Sequence, residues 1–306
     1  MVAIASGNAA LNELETAVQQ WLGDSRLPMD QWPHLEFREV ERLIVNHDTR
    51  PVFNQPTVAI QAGAPGGGVR IRWDVAEAEA LVDEFSPMAT ILVTPAVYSN
   101  TDLFLRSMML VVVLFALRRH ASFHIHAAAL ESPAGEGWLL AGNSGGGKST
   151  TTALLARNGW KVSTEDIAFI ERNDGGDVAV RGFRTRLALR PGGAALLKMN
   201  DGLDLPGRGK VGVWPEDMGG GWIPSVVPRV LVFTSVGEGP TAVERISAMD
   251  AMRGLLQWSM WILFERTGSD AHLQLLTALT AQTRSYRVRL GKDLFENPGL
   301  LAELTR

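Results

Sequence analysis

The segment from Gly142 to Ser149, GNSGGGKS, constrains the fold of this chain more than any other part of its sequence. It matches the pattern GxxxxGK followed by Ser or Thr, in which glycines allow backbone N–H groups to turn inward around phosphate oxygens. The preceding residues, GWLLAG at 137–142, predict a strand, and the following residues predict a helix from about 148 to 158. A strand, this loop and a helix together indicate a phosphate-binding P-loop in an α/β fold.

Each part of this loop has an expected role. Lys148 would reach the β- and γ-phosphates of a nucleotide, and the Ser149 hydroxyl would be a ligand of Mg²⁺. The predicted nucleotide contacts within the loop are Gly142, Asn143, Ser144, Gly145, Gly146, Gly147, Lys148, Ser149 and Thr150.

Two adjacent acids, Glu165 and Asp166, follow the predicted helix within KVSTEDIAFI, which predicts a strand at 161–170. The apolar strand RVLVFTSV at 229–236 ends without the acid that motor and switch NTPases use to hold Mg²⁺. Adjacent residues on a strand point to opposite faces, so only one acid can face the γ-phosphate unless the backbone kinks. This pattern suggests that one acid serves the metal and the other takes the proton of an attacking hydroxyl.

Two histidines, His124 and His126, share one face of a predicted strand at 122–130. The turn SPAGEG would pair this strand with 137–142 as a hairpin, and the histidine nearer the mouth of the site would then touch the acids. A core histidine is the alternative interpretation.

A basic cluster lies downstream of the acids and comprises Arg181, Arg184, Arg186 and Arg190, with Lys210 further along the chain. Arg184 and Arg186 are predicted nucleotide contacts, because guanidinium groups bind phosphate oxygens well. Lys210 is a candidate for the same role. A solvated charged face is the alternative for all of these residues.

The remaining sequence gives a coarse pattern of elements. The first 100 residues predict an amphipathic helix after residue 8, a turn at 63–68, and strands at 37–45, 57–62, 69–75 and 90–95. A long helix is predicted near 101–119. Further predictions are strands at 177–182, 185–190 and 286–290, and helices at about 248–265 and 270–281.

The stretch at 122–192 resembles the catalytic domain of HPr serine kinase/phosphorylase and of HPr-kinase-related proteins, which are themselves similar to ATP-dependent phosphoenolpyruvate carboxykinase around the P-loop. The resemblance rests on IHAAAL, GNSGGGKST, the helix end RNGWKV and the acidic pair. It implies an α/β P-loop domain of this type with a mixed sheet. The strands predicted in the first 100 residues make a β-rich N-terminal region, which does not look like the family's separate regulatory domain. We therefore expect residues 1–100 to form that region, packed on a P-loop kinase domain of residues 101–306.

The resemblance also implies roles for single residues. His126 matches the family's site histidine, and Lys148 and Ser149 match its P-loop pair. Glu165 takes the position of the base toward the acceptor hydroxyl, and Asp166 is the second acid, near the metal. The implied ligands are ATP and Mg²⁺. The family usually has Asp where this chain has Glu165, and its signature for the reverse reaction is not recognisable here, so HPr itself is not the expected substrate.

Composition excludes several classes of function. The chain has no cysteine, so thiolate zinc sites, iron–sulfur clusters and disulfides are excluded. Its net charge of −4 gives no drive toward nucleic acid. The apolar stretch from Leu103 to Leu117 is shorter than the ~20 residues of a membrane span and indicates a core helix. With no secretory signal at the N-terminus, a cytoplasmic protein is expected, and peripheral contact with the inner face of the membrane stays open.

The acceptor is suggested by the tryptophans, of which the chain has nine against two tyrosines. Trp214 and Trp222 fall in a loop-rich insert at 205–222, and the predicted helix at 248–265 is apolar almost all round. Core packing is one explanation for these residues, and contact with a protein or lipid is the other. The sequence thus predicts a kinase acting on an alcohol: a hydrophobic or lipid hydroxyl, a small-molecule hydroxyl, or a Ser of a peptide or protein. The alternative is a nucleotide-dependent switch or assembly ATPase.

Overall fold

The computed structural model describes residues 9–24, 33–43, 53–54, 58–62, 68–199, 202–205 and 209–305. Its contacts divide the chain into two compact units. Unit 1 comprises Met1–Phe123 and Trp261–Leu273, and unit 2 comprises His124–Met260 and Gln274–Arg306. The sequence predicts a boundary at residue 100, whereas the contacts divide the chain after Phe123, so that the long helical segment belongs to unit 1. The assignment of separate functional domains stays a prediction.

Unit 1 contains a helix followed by a six-stranded sheet, as expected for a β-rich N-terminal region. The helix is α1 (Ala9–Asp24), and the strands are β1 (His34–Glu39), β2 (Phe53–Asn54), β3 (Val58–Ala62), β4 (Val69–Trp73), β5 (Ala78–Val82) and β6 (Met88–Val93). Their order is β1-β6-β5-β4-β3-β2. The sequence prediction did not include β5, whose AEALV lacks a β-branched residue until its end. The predicted turn at 63–68 lies outside the described residues except for Gly68.

A helical segment from Pro95 to His120 packs in unit 1. It contains α2 (Thr101–Phe104), a π-helical stretch at Leu105–Met109, and α3 (Leu110–Leu117). Among the described residues it is the single helix that is long and apolar enough to cross a membrane, and 61% of its most apolar window is buried. Because the core helix of a soluble protein has the same length and composition, this is weak evidence for a span.

The end of this segment joins a buried ionic cluster in unit 1. The Glu265 carboxylate accepts hydrogen bonds from Arg118 Nε at 3.0 Å and from Arg119 Nη1 at 3.0 Å. The three side chains are between 2% and 6% exposed. Two guanidinium groups therefore depend on one carboxylate in a place that water does not reach.

Replacing Glu265 by Gln is expected to lower the free energy of unfolding by about 3–5 kcal/mol, because it leaves buried positive charges without their counterion. The matched control is Asp74→Asn, since Asp74 pairs with Arg72 at 2.7 Å on the surface and should change stability by less than about 1 kcal/mol. Urea unfolding followed by circular dichroism measures both. Equal effects of the two substitutions would contradict the buried arrangement.

Unit 2 carries the predicted P-loop. Its strands are β7 (Phe123–Glu131, starting at the last residue of unit 1), β8 (Gly137–Ala141), β9 (Lys161–Thr164), β10 (Ile167–Arg172), β11 (Val178–Gly182), β12 (Leu187–Leu189), β13 (Leu203–Leu205), β14 (Lys210–Val213), β15 (Gly221–Trp222), β16 (Ser225–Val226), β17 (Pro228–Val236), β18 (Ala242–Arg245) and β19 (Arg284–Leu290). Its helices are α4 (Lys148–Arg157), α5 (Pro191–Leu196), α6 (Ala248–Gln257), α7 (Ser269–Gln282, starting in unit 1), α8 (Asp293–Glu296) and α9 (Leu300–Leu304).

Most of these strands form one mixed sheet in the order β16-β11-β10-β7-β8-β17-β19-β18, with β9 and β15 beside it. β7 and β8 pair antiparallel, which confirms the predicted hairpin, and β8 pairs parallel with β17. The prediction of an α/β chain with a mixed sheet is thus confirmed. The loop that follows β8 leaves the sheet from a central strand. A separate three-stranded sheet has the order β12-β14-β13.

The strand predicted at 37–45 is wrong in its bounds, since β1 begins at His34 and ends at Glu39. Two further predicted elements are wrong in their extent. The strand predicted at 161–170 is two strands, β9 and β10, interrupted at Glu165 and Asp166, where the Thr164 hydroxyl donates to the Ile167 carbonyl at 2.9 Å. The helix predicted at 248–265 ends at Gln257. Its next residue, Trp258, uses its carbonyl to accept the backbone N–H of His126 at 3.0 Å, so the chain leaves the helix to pair with β7.

Candidate functional site

The loop between β8 and α4 requires glycine at both of its ends. Gly142 has φ +151°, and a Cβ there would lie 2.5 Å from the Thr234 carbonyl oxygen. Gly147 has φ +90° and caps α4, and a Cβ there would meet Leu290 at 2.5 Å. Because no side chain caps α4, its first N–H groups stay directed at the loop. This is the geometry of an anion-binding helix N-terminus.

Lys148, the first residue of α4, lies almost buried beneath the loop. Its ammonium donates to the Gly142 carbonyl at 2.6 Å and lies 3.1 Å from His126 Nε2. It also sits over the Trp258 ring, 5.7 Å from the centroid. Burial lowers the pKa of Lys148, and the charges of Asp166 and Glu165 oppose that shift. The lysine is thus held in place by hydrogen bonds and a ring, and it lines the cavity of the site as a largely buried cation.

His126 connects the lysine to one of the acids. An ammonium can only donate, so His126 Nε2 accepts from Lys148, and Nδ1 then carries the ring proton. Nδ1 lies 3.0 Å from Asp166 Oδ1. Partial burial raises the pKa of Asp166, but the hydrogen bond from His126 and the charges of Lys148 and Lys210 outweigh it, so the net pKa is below its usual value. Asp166 therefore stays ionised at the mouth of the site, where its side chain is 54% exposed.

Glu165 differs from Asp166 in its surroundings. It is 6% exposed and accepts a hydrogen bond from the Ser149 hydroxyl. Burial and the neighbouring charge of Asp166 raise its pKa to about 6, against the lowering effects of Ser149, Lys210 and Lys148. The break between β9 and β10 allows both acids to line one pocket, which a continuous strand would prevent. The pKa of Glu165 is thus raised toward neutral pH, whereas the pKa of Asp166 is lowered.

The raised pKa of Glu165 predicts a stability change with pH. A carboxyl whose folded-state pKa lies above its unfolded value of 4.5 destabilises the fold progressively as pH rises from about 4.5 through about 6. Glu165→Gln removes this effect and should make the chain more stable at pH 7, by about 2 kcal/mol. Below pH 4 the two proteins should unfold at the same urea concentration. An unchanged difference across the pH range would contradict the buried, tuned carboxylate.

The site opens into a cavity of about 520 Å³ within unit 2. Its polar lining consists of the loop, Lys148, the two acids and His126. Its apolar lining, the apolar wall, is contributed by α4, α5, β17, β19 and α8: Leu154, Leu196, Val236, Leu290, Leu294 and Phe295. Leu290 and Val236 lie next to Gly147, so part of this wall borders the loop. A cavity lined by a cationic loop and by apolar side chains suits a ligand that is part phosphate and part ring.

The residues present also fit a magnesium ion. The Ser149 hydroxyl and the Asp166 and Glu165 carboxylates line the cavity, and oxygen atoms of these kinds are the ligands that Mg²⁺ prefers. Within the described ranges there is no cluster of three or more His, Asp or Glu that could hold a metal by itself. This fits an ion that takes its remaining ligands from substrate phosphates and water.

Most of the predicted site residues line this cavity: His126, Asn143, Ser144, Gly145, Gly147, Lys148, Ser149, Thr150, Glu165 and Asp166. Gly142 and Gly146 belong to the loop but do not line the cavity. His124 lies instead against Phe169, with ring centroids 6.0 Å apart, and burial lowers its pKa to about 3. Of the two histidines, only His126 lines the cavity.

Arg184 and Arg186 lie elsewhere than the sequence predicts. Both guanidinium groups lie over the Trp214 ring, at 4.4 and 4.8 Å from its centroid, and neither lines the cavity. The cations that do line it are Arg190, which donates to Ser144 Oγ at 3.2 Å, and Lys210. Strand parity groups Arg190 with Arg184 and Arg186, but parity alone cannot tell which of the three reaches the loop.

The tryptophans that the structure describes do not form an exposed apolar surface. All except Trp32 lie in the described residues, and each of those is buried or half-buried. Trp138 and Trp160 pack edge to face in the core of unit 2, with centroids 5.1 Å apart. Trp214 and Trp258 contact cations. The surplus of tryptophan, on which the prediction of a hydrophobic acceptor rests, therefore has packing and cation contacts as its explanation.

Trp258 and the apolar wall belong to the site but are not recognisable as such in the sequence. Trp258 contacts both Lys148 and His126, whose ring lies 5.8 Å from its own. Leu290, Leu294 and Phe295 come from the last part of the chain, far from the loop in sequence. No local pattern connects these residues to the loop, since the sheet order alone brings them together.

Comparisons with known proteins give little. No protein family model matches the chain, and no curated protein matches it. Among solved structures, the HPr(Ser) kinase/phosphatase from Coxiella burnetii is similar over 59% of this chain and 98% of its own, with 12% identity and a TM-score of 0.27. The similarity is distant.

Proposed function

We propose that this chain is an ATP-dependent phosphotransferase that moves the γ-phosphoryl group of ATP onto a hydroxyl of an acceptor. One observation carries the proposal: a buried loop lysine, Lys148, and a carboxylate with a pKa of about 6, Glu165, line the same cavity. The lysine suits the charge of a transferring phosphoryl group, and a pKa near neutrality suits a general base.

Binding of ATP would use both the polar and the apolar lining of the cavity. The backbone N–H groups of the loop and the start of α4 would receive the phosphates, together with Lys148. Arg190 and Lys210 add positive charge to the lining. The apolar wall offers a surface for the base. The γ-phosphate would then lie near the acids, because Glu165 accepts a hydrogen bond from Ser149, the residue that follows Lys148.

Ser149 and Asp166 would hold Mg²⁺, because Asp166 stays ionised and is the more exposed of the two acids. The ion would neutralise charge on the phosphate oxygens. His126 orients Asp166 through Nδ1 and steadies Lys148 through Nε2. We therefore treat His126 as a positioning residue.

Glu165 would take the proton of the acceptor hydroxyl. Its carboxylate already accepts a hydrogen bond from one hydroxyl, that of Ser149, which supports its capacity to receive a proton from another. As the acceptor oxygen forms its bond to the γ-phosphorus, the bond from that phosphorus to the β-phosphate oxygen breaks. The products are a phosphate ester, ADP and a protonated Glu165.

Label transfer from γ-labelled ATP tests this function. Peptide, sugar, nucleoside and lipid extracts are incubated separately with the chain, and ester-bound label is separated from free phosphate. We expect label in an ester in at least one extract. Label in free phosphate alone, across all extracts, would favour the switch or assembly ATPase instead.

A further inference from the structure

A row of cations leads away from the acids along the small sheet. In this sheet Ala188 on β12 pairs with Gly212 on β14, and Lys210 lies on the same face of β14 as Gly212. Ala188, Arg190 and Lys210 line the cavity, which identifies the face. Arg186 continues the row, since a Cβ on Gly212 would lie 3.2 Å from its Cδ. The row therefore runs from the cavity outward.

The outer end of the row is built around Trp214. Arg184 and Arg186 lie over its ring, and Arg184 pairs with Glu216 at 2.9 Å. A guanidinium stacked on a ring by its face keeps its N–H donors at the edge, where they can bind a carboxylate or phosphate. Stacking also reduces the side-chain entropy that each arginine loses on binding.

Charge along the row is not balanced. In the part of the chain that the structure describes, Glu216 is the one acid in an ion pair with these cations, which are Arg184, Arg186, Arg190 and Lys210. Lys210 lies close enough to the two site acids for its charge to lower the pKa of both. The row thus begins where the acceptor hydroxyl would lie and adds net positive charge beyond it.

The length of the row indicates what it binds. Trp214 directly follows β14, so the distance from Lys210 to Trp214 is that of four extended residues, or about 13 Å. Four residues of an extended peptide cover the same distance, whereas a single sugar or amino acid is shorter. The row begins at a cavity and not on a flat surface. A membrane as the binding partner is therefore disfavoured. The overall charge of −4 disfavours a nucleic acid.

We infer that the acceptor is a polypeptide whose target serine is flanked, about four residues away, by acidic side chains that bind Arg184 and Arg186 beside Trp214. This inference rests on the proposed function. The surplus of tryptophan suggested an acceptor with a hydrophobic part, whereas the row of cations favours an acceptor with acidic side chains.

Binding of fluorescein-labelled peptides to the full chain tests the inference. Three peptides carry one central Ser and differ at the positions three and four residues to each side, which are Glu, Gln or Lys. Anisotropy is measured with Mg²⁺ and a non-hydrolysable ATP analogue. The Glu peptide should bind at least about tenfold more tightly than the Gln peptide, and added salt should reduce the difference.

A charge-reversal variant separates recognition from misfolding. Arg186→Glu should lose the preference for the Glu peptide and favour the Lys peptide, which a misfolded chain could not do. The control is Arg253→Glu on α6, whose side chain is 70% exposed and far along the chain from the row; it should keep the wild-type preference.

The outcomes distinguish this inference from the proposed function. Equal binding of the Glu and Gln peptides, no peptide binding, or tighter binding of a single-stranded oligonucleotide would overturn the inference. Transfer of label to Gln and Glu peptides at equal rates would also overturn it, while the phosphotransferase stands. Selective binding of the Glu peptide without ester formation on any acceptor would keep the acidic-peptide site and overturn the phosphotransferase.

Discussion

Replacing Lys148 by Met is expected to reduce phosphoryl transfer by at least about 10²–10³-fold, the range that follows from removing one positioned cationic or hydrogen-bonding group at a reacting centre. The ammonium of Lys148 is nearly buried and held by the Gly142 carbonyl and His126. A methionine fills similar volume but offers the phosphates no charge. Binding of ATP, followed with a fluorescent analogue, should weaken together with the rate.

The matched control is Lys161→Met. Lys161 lies on β9 and pairs with Glu131 at 3.1 Å on the surface, where 55% of its side chain is exposed. Its replacement should leave ATP binding and transfer unchanged. If Lys148→Met bound ATP and turned over as the wild type does, the loop would not be the phosphate site.

Replacing Glu165 by Gln is expected to lower kcat by about 10²–10⁴-fold, the contribution of a positioned general base. ATP should still bind, because the loop and Lys148 are untouched. In the wild type the rate should rise as pH increases through about 6, since the pKa of Glu165 is raised to about 6 and the base must be ionised. The residual activity of Glu165→Gln should lack this rise.

Two further variants test whether this pH dependence comes from Glu165. Asp166→Asn should keep a rise of the rate with pH but move it below pH 6, because the charge of Asp166 contributes to the raised pKa of Glu165. It should also increase the Mg²⁺ concentration needed for half-maximal rate, because Asp166 is assigned to the metal. Glu131→Gln, at a surface pair with Lys161, should behave as the wild type. A rise with pH that is lost altogether in Asp166→Asn and persists in Glu165→Gln would exchange the roles of the two acids.

The sequence predicted the parts of the site that are local. The loop, the start of α4 and the hairpin of β7 and β8 each lie within a few residues of their own signals, namely glycines, apolar runs and a short turn. The hairpin predicts that one of the two histidines lies near the acids, and the resemblance to HPr kinases identified it as His126. These are pairings over short sequence distances, where pattern and turn chemistry decide the structure.

The other features of the site depend on packing between residues that are distant in the sequence. Whether Arg184 and Arg186 reach phosphate or lie over Trp214 depends on the register of β12 and β14, which the sequence does not specify. The end of α6 depends on a hydrogen bond between Trp258 and β7, more than 100 residues earlier in the chain. The kink between Glu165 and Asp166 needed a side-chain bond from Thr164 that a strand pattern conceals.

The most direct test of the phosphotransferase is to follow ATP turnover in ¹⁸O-labelled water with the acceptor extracts present. ADP, phosphate ester and free phosphate are counted by mass spectrometry, with Lys148→Met as the blank. We expect one phosphate ester for each ADP formed, with no ¹⁸O in the ester, because the attacking oxygen comes from the acceptor hydroxyl. Formation of ADP together with free phosphate that carries ¹⁸O, and no ester, would contradict the account, since water would then be the acceptor.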